Sequence, residues 1–458
     1  MASHSHQPVT LPFKGMSELR TRMTGPLILP GDATYEARRK LWNGFVDKFP
    51  AVIAQCVNET DIGHALDFAR QHGLPLAIRG GGHHSAGFAS VNDGLVIDLS
   101  LQQQISVDPV ARIAKAQPGA LACQMYEHTE RFGLVLPKGM EPTVGLAGLT
   151  LGGGEGWLTS KFGLTCDNLV AATVVTAEGR VIRTSLDENA DLLWGLRGGG
   201  GNFGVVSSFE YRLHELRELI TCRIVFSAAD APAVLRRWRD MLEGSPNDLA
   251  SLVMVANGQA PLLIIGLCWF GVPDDLDELI APLRNYEKPL SDQVGHASPS
   301  GIYHSIFGAG KRPVLSNYIR THYMRELSDE AIDLFVEHGK RIIPSPTVAW
   351  LTYYRGAFCR PPEGGSAYPH RDTSYQLGIS TQWSVDESSE PHIAWARALW
   401  REMAPFASGR FYCNYSSDPA ADPPQAAYGD SWQRLRELKR KYDPDNVFRG
   451  NFNVTPAD

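Results

Sequence analysis

Apolar positions in the first 215 or so residues switch between helical and strand-like spacing, which predicts mixed α/β structure. Asn58-Glu59-Thr60-Asp61 reads as a helix start, with Ile62, Ala65, Leu66 and Ala69 following at helical spacing and Gly73 as the stop. A short apolar strand follows, Leu74-Pro75-Leu76-Ala77-Ile78. Asp93-Gly94 turns the chain into a second strand, Leu95-Val96-Ile97-Asp98-Leu99. Leu169-Val170-Ala171-Ala172-Thr173-Val174-Val175 and Val181-Ile182 flank Glu178-Gly179, a hairpin pattern. From about residue 216 the character changes. Helix-like segments at 230–242 and 330–342 alternate with strand-like runs such as Leu252-Val253-Met254-Val255, Leu262-Leu263-Ile264-Ile265-Gly266 and Val348-Ala349-Trp350-Leu351-Thr352-Tyr353-Tyr354. Long sheets with helices laid on one face make an α+β domain. The last fifty residues return to the first style. Phe411-Tyr412-Cys413-Asn414-Tyr415 leads through a proline-rich loop to an amphipathic helix with Leu435, Leu438 and Tyr442 on one face, stopped by Asp443-Pro444-Asp445-Asn446. Asn451 and Asn453 stand two apart, so in an extended chain both amides face one way and can read the polar edge of a planar heterocycle.

A chain of 458 residues is too long for one ordinary core and predicts two or three domains. Its 43 basic and 50 acidic residues give a net charge of −7, which argues against nucleic acid or an anionic membrane surface as partner. No run of about 18 uncharged apolar residues predicts a membrane span. The start, Met1-Ala2-Ser3-His4-Ser5-His6-Gln7, has neither the basic nor the apolar region of a secretory signal, so a cytoplasmic protein is expected, with His4 and His6 on a frayed polar tail. The seven cysteines lie far apart without a Cys-x-x-Cys pair, which points away from a disulfide framework or a zinc site and fits a reducing compartment.

The chemistry-bearing signal is a set of glycine clusters. Arg79-Gly80-Gly81-Gly82-His83-His84 follows a strand and ends in imidazoles. Three consecutive glycines expose backbone N–H groups that can close around an anion, and the histidines place nucleophilic nitrogens beside it. Two further clusters run from Gly145 through Gly148 to Gly152, Gly153, Gly154 and Gly156, and from Gly198 to Gly204. The Gly152-x-Gly154 run does not fit a dinucleotide fingerprint of the Rossmann type, because Trp157 stands where its last glycine belongs and no compact βαβ unit surrounds it, and no P-loop Gly-Lys-Ser/Thr occurs. A long phosphate-bearing cofactor touched at several points by bare backbone explains all three. Aromatic residues crowd the end of the middle region; Tyr375 and Trp383, with polar neighbours in a strand-like run, are the candidates for a pocket lining.

Taken in order, Arg79-Gly80-Gly81-Gly82-His83, Pro142-Thr143-Val144-Gly145 with Leu151-Gly152-Gly153-Gly154-Glu155-Gly156-Trp157-Leu158, Lys161-Phe162-Gly163-Leu164 with Asp167-Asn168-Leu169, Gly201-Asn202-Phe203-Gly204-Val205-Val206, Asn414-Tyr415, Tyr442-Asp443-Pro444-Asp445-Asn446 and Asn451-Phe452-Asn453-Val454 resemble the berberine-bridge-type FAD-linked oxidases of the vanillyl-alcohol-oxidase (PCMH-type flavoprotein) superfamily. The resemblance runs from about Pro50 to Val454 and is weakest in the middle. It implies an α+β chain whose FAD-binding domain is split in sequence, 1–215 (core about 46–215) and 406–458, around a substrate domain at 216–405 with a large antiparallel sheet covered by helices. It implies FAD held by Arg79, Gly80, Gly81, Gly82, His83, His84, Gly145, Gly148, Gly152, Gly153, Gly154, Gly156, Asn168, Gly204, Val205, Asn451 and Asn453, with His83 forming an 8α-histidyl bond. A neutral imidazole is a competent nucleophile toward the flavin 8-methyl carbon.

Many members of the family carry a cysteine just before Pro-Thr-Val-Gly as a second tether. Here that position is Glu141, so a single linkage is expected, and Cys166 reads as a packed thiol. Some members use a glutamate as base at a position matching Gly378, which has no side chain; others use the tyrosine of Asn-Tyr, here Tyr415, with Tyr375 as partner or co-base. The implied function is oxidation of an alcohol or amine carbon in a cyclic small molecule, a secondary metabolite by analogy, with dioxygen as acceptor. A sugar oxidase, a redox-neutral cyclase and a non-catalytic flavin-binding protein are the alternatives. No metal is implied, and a monomer or homodimer is expected.

Overall fold

The computed structural model describes residues 15–257, 261–272, 274–286, 288–302, 314–341 and 346–458; His4, His6 and Ile342 lie outside these. Three larger sheets organise the chain. The first has four strands in the order Leu27–Ile28, Val52–Gln55, Leu95–Asp98, Leu76–Arg79, the last three mutually parallel. Parallel neighbours need a crossover, and the helix Glu59–Gln71 supplies it. Asn58 caps that helix by accepting a hydrogen bond from Asp61 N at 2.8 Å. The strand after the helix begins at Leu76 rather than Leu74, since Pro75 has no N–H to give a ladder. It ends at Arg79, so the glycine-histidine loop leaves the carboxyl end of a parallel strand, where open α/β sheets present their ligand crevice.

The second sheet is antiparallel, in the order Ile105–Asp108, Ile113–Ala116, Val205–Arg212, Leu169–Val175, Val181–Thr184. Its last two strands form the hairpin, with Val175 opposite Val181. The third has seven antiparallel strands, ordered Ser291–Ala297, Leu219–Ser227, Pro261–Trp269, Leu249–Asn257, Val348–Tyr353, Tyr375–Trp383, Ser316–Met324. The helices Ala231–Gly244, Asp275–Arg284, Asp329–Gly339 and Glu390–Met403 bury their apolar stripes against one of its faces, with Trp238, Ile280, Phe335 and Leu399 in a shared core with Val253, Ile265 and Leu351. Among the described residues no helix is long and apolar enough to cross a membrane.

Period-2 alternation decides what each residue of the strand Tyr375–Trp383 does. Tyr375, Leu377, Ile379 and Trp383 point into the helix-covered core. Tyr375 packs at 5.0 Å from Tyr353 and 6.2 Å from Trp238, and Trp383 stacks on His392 at 5.0 Å. Ser380 and Gln382 face the opposite way, into the large cavity described below. The expectation that Tyr375 and Trp383 line a pocket, and that Tyr375 acts in catalysis, is therefore corrected: polar neighbours in a strand mark the other face as the one lining the cavity.

After the sheet, the helix Trp432–Tyr442 returns to the second sheet, with Leu435, Leu438 and Tyr442 in a core shared with Leu193 and Phe203. Lys439 and Asp443, both fully buried, pair at 2.7 Å. The ammonium also donates to Asn202 O and Phe448 O, each at 2.8 Å, and the carboxylate accepts from the backbone N–H groups of Val447 and Phe448 at 2.9 Å. One lysine thus fastens the Gly201-Asn202-Phe203 loop to the C-terminal segment. Removing one partner of a buried pair strands the other charge, at a cost of about 3–5 kcal/mol. Asp443→Ala is expected to lose stability on that scale, read as a lower denaturant midpoint at unchanged slope.

Candidate active site

A cavity of about 800 Å³ lies between the glycine clusters and the open face of the seven-stranded sheet. One wall is backbone. Gly80, Gly81, Gly82, Gly145, Gly148, Gly152, Gly200, Gly201 and Gly204 line it, together with Val205 and Asn451. Two glycine loops meet there backbone to backbone. A Cβ on Gly81 would lie 2.4 Å from Gly145 N, and one on Gly145 would lie 2.4 Å from Gly81 N. The backbone N–H groups of Gly81, Gly82, His83 and His84 donate to no other described residue, which leaves an anion cradle at the loop. Asn451 donates its amide to Gly201 O at 2.9 Å and keeps a buried Oδ1 without a partner. Ser85 Oγ, also in the wall, is buried and unpartnered. Free N–H groups, bare glycine backbone and stranded polar atoms fit a long phosphate-bearing heterocyclic cofactor.

The opposite wall comes from the sheet. Leu252, Met254, Ile264 and Trp350 make it apolar, while Arg223, Ser380 and Gln382 add polar groups. The guanidinium of Arg223 makes no hydrogen bond or ion pair among the described residues. Trp350 sits directly across the ladder from Gly378, and a Cβ on Gly378 would fall 2.0 Å from the indole. The glycine therefore makes room for the tryptophan, and the indole occupies the space that a longer side chain at 378 would need.

The two imidazoles of the loop are in different states. His84 Nε2 donates to Cys413 O at 2.9 Å and its Nδ1 accepts from Ala86 N at 3.1 Å, so both nitrogens are committed. His83 stacks on Trp42, with ring centroids 4.1 Å apart, and its Nε2 lies 3.0 Å from Thr143 Oγ1. Removal from water lowers both imidazoles to about 4, so each is neutral near pH 7. Cys413 is the cysteine in the cavity wall; burial raises its thiol to about 12 and makes it a poor nucleophile. Cys166 is fully buried away from the cavity. Met140 and Glu141 complete this side of the wall.

Several residues expected at the cofactor lie elsewhere. Arg79 turns its guanidinium back, to Arg38 O and Lys40 O, and braces the segment before the loop. Gly153 and Gly154 are small so that Tyr368 and Thr165 can approach, with hypothetical Cβ contacts of 2.8 Å and 2.2 Å. Asn168 donates to Phe162 O and Leu164 O and holds its own turn. Asn453 keeps a buried, unpartnered Oδ1 but is absent from the cavity wall, because the chain bends at Asn451-Phe452 instead of running extended. Gly156 lines a small adjoining cavity rather than the large one.

Sequence reasoning missed Glu155. Its carboxylate is buried and accepts hydrogen bonds from Tyr323, from Tyr368 at 2.6 Å, from Tyr354 at 3.0 Å and from Gln376 at 2.6 Å. Burial raises its affinity for a proton and outweighs the four donors. The available signal was a lone acid within Leu151-Gly152-Gly153-Gly154-Glu155-Gly156-Trp157, an otherwise uncharged run. Glu155 shares the small cavity with Tyr415 and Trp350, both of which also line the large one.

The split of backbone cradle and apolar sheet wall suits an enzyme that presents a small molecule to a bound cofactor, and the chain's relatives are flavoprotein oxidoreductases. Residues 50–185 match the family model described as an FAD binding domain, and residues 411–455 match the one described as berberine and berberine like. The chain is 30% identical over 447 residues to YgaK, an uncharacterized FAD-linked oxidoreductase of Bacillus subtilis, covering 95% of this chain and 98% of that one. It is 29% identical over 471 residues to (R)-6-hydroxynicotine oxidase of Paenarthrobacter nicotinovorans, covering 96% and 99%. The crystal structure of 6-hydroxy-D-nicotine oxidase from Arthrobacter nicotinovorans superposes with a TM-score of 0.87 at 29% identity, covering 95% of this chain and 98% of that one. Glucooligosaccharide oxidase of Acremonium strictum, described as carrying 6-S-cysteinyl, 8α-N1-histidyl FAD, superposes with a TM-score of 0.85 at 25% identity over 94% and 97%. The chain belongs to the berberine-bridge-like family of FAD-linked oxidoreductases.

Because Gly81 and Gly145 touch through backbone atoms, neither neighbour can swing away. Gly145→Ala is expected to cost about 1–3 kcal/mol in forced displacement, which weakens FAD capture about 5- to 150-fold. Flavin absorbance per mole of purified protein measures it.

Proposed function

We propose that residues 1–215 and 406–458 hold FAD covalently through His83, and that residues 216–405 present a cyclic small molecule to it for oxidation at an amine or alcohol carbon. FAD supplies the hydride acceptor, and dioxygen takes the electrons onward. The observation that carries this reading is His83: at the tip of a loop of unpaired N–H groups, it is the histidine in the cavity wall with a nitrogen not bonded to another described residue. Glu141 at the second-tether position and the inert Cys413 thiol support a single linkage. The apolar face built by Leu252, Met254, Ile264 and Trp350 favours a ring-bearing metabolite over a sugar.

Tyr415, which lines both cavities, is the group that takes the substrate proton. Burial and the nearby Glu155 carboxylate hold its phenol above the ordinary range, so it is protonated at neutral pH. It accepts a substrate proton only as its own moves on, and the small cavity shared with Glu155 offers the route. A neutral amine avoids that step, because its nitrogen lone pair stabilises the charge left when hydride departs. The amine is therefore the favoured substrate.

Anaerobic addition of a substrate should bleach the flavin, and air should restore it with release of hydrogen peroxide; product formed without bleaching would mean redox-neutral chemistry. Tyr415→Phe should slow alcohol oxidation by about 10²–10⁴-fold, the usual size of general-base assistance, and leave amine oxidation within about tenfold of wild type. Arg223→Ala should raise KM with little change in kcat, because its group binds without taking part in hydride transfer.

A further inference from the structure

We propose that Glu141 and Thr143 form a proton relay that removes the proton released when His83 is joined to FAD. The inference rests on the reading of His83 as the tether. Its geometry is a three-member chain. Thr143 Oγ1 lies 3.0 Å from Glu141 Oε1 and 3.0 Å from His83 Nε2. A hydroxyl has one hydrogen, and a carboxylate can only accept, so that hydrogen points at Glu141. The hydroxyl oxygen is then left to accept from the imidazole. With the hydroxyl oriented so, His83 carries its proton on Nε2 and its lone pair on Nδ1. No other described residue hydrogen-bonds Nδ1, and the stack on Trp42 fixes the ring plane. His84 has the same tautomer, but its Nδ1 is occupied by Ala86 N. The two neighbouring rings thus differ in the one lone pair that matters.

A C–N bond forms between His83 Nδ1 and the flavin 8-methyl carbon. One C–H bond of that methyl group and the Nε2–H bond of the imidazole break. The Nε2 proton passes to Thr143 while the Thr143 proton passes to Glu141. The methyl hydrogen leaves as a proton, two electrons enter the isoalloxazine and are taken by dioxygen, and dioxygen leaves as hydrogen peroxide with two protons, matching the two given up by the methyl carbon and Nε2. Alkylating Nδ1 makes the ring cationic while Nε2 stays protonated, so a carboxylate reached through one hydroxyl is the acceptor the step needs.

The test reads covalent flavin, not turnover. Wild type, Glu141→Gln, Thr143→Val, Thr143→Ser and His83→Ala are purified as full chains early in expression and incubated with excess FAD in air. Covalent flavin is followed by fluorescence of the denatured band, and total flavin by absorbance. His83→Ala should bind FAD with no covalent signal; a fluorescent His83→Ala band, or a dark wild type, sinks the tether itself and is distinguishable from failure of the relay. Glu141→Gln and Thr143→Val should hold wild-type total flavin while covalent incorporation slows by about 10²-fold or more, and Thr143→Ser should restore it. Wild-type incorporation rates in both Glu141→Gln and Thr143→Val would overturn the relay. Loss of total flavin in both would also overturn it, by making the pair a binding element. A flavin peptide whose NMR spectrum places the methylene on Nε2 would overturn it as well.

Discussion

Everything at the site depends on two loops meeting without side chains between them. Gly81 and Gly145 touch through backbone atoms so closely that a single methyl group on either would overlap the other. One loop ends a parallel strand and carries His83; the other opens a short helix and carries Glu141 and Thr143 just before it. Sixty residues of sequence separate His83 from Thr143, and the glycine contact reduces that to one hydrogen bond. The glycines are needed because the chain must come close, and the chemistry follows from what stands beside them.

Low local polarity then sets the state of each reactive group in the same direction. Burial keeps both imidazoles neutral, keeps the Tyr415 phenol protonated and keeps the Cys413 thiol from ionising. A single environment thus favours a nucleophilic histidine and disfavours a cysteine a short way off. Glu155 is the counterpoint: four donors surround its carboxylate, yet the desolvation is large enough to raise its proton affinity. That cluster also ties the glycine run to the seven-stranded sheet, through Tyr323 and Gln376 in two of its strands and Tyr354 just past the end of a third.

The seven-stranded sheet does two jobs because its faces alternate. One face is sealed by four helices and holds Tyr375 and Trp383; the other supplies Trp350, Ser380 and Gln382 to the cavity. Gly378 belongs to the second face, and the indole of Trp350 fills the place beside it. A carboxylate at 378 and the observed tryptophan at 350 exclude one another sterically, so the aromatic wall and a base at 378 cannot coexist.

Much of the fold was legible because it is local. Asn58 as a cap, the apolar spacing of the helix after it, the hairpin around Glu178-Gly179 and the stripe Leu435, Leu438, Tyr442 each follow from neighbours within a few residues. The glycine clusters announced a cofactor because bare backbone has few other uses at that density. What the sequence left open was direction. Alternation says that Tyr375 and Gln376 face opposite ways, but only packing of the helices decided which way was the core. Arg79 was readable as a charge beside a glycine loop, and only the fold turned it toward Arg38 and Lys40. Glu155 found its four donors, and His83 its threonine, across separations of 168, 199, 213, 221 and 60 residues. Local spacing is a property of the chain; which side chains meet at such distances is decided by the packing of three sheets against one another.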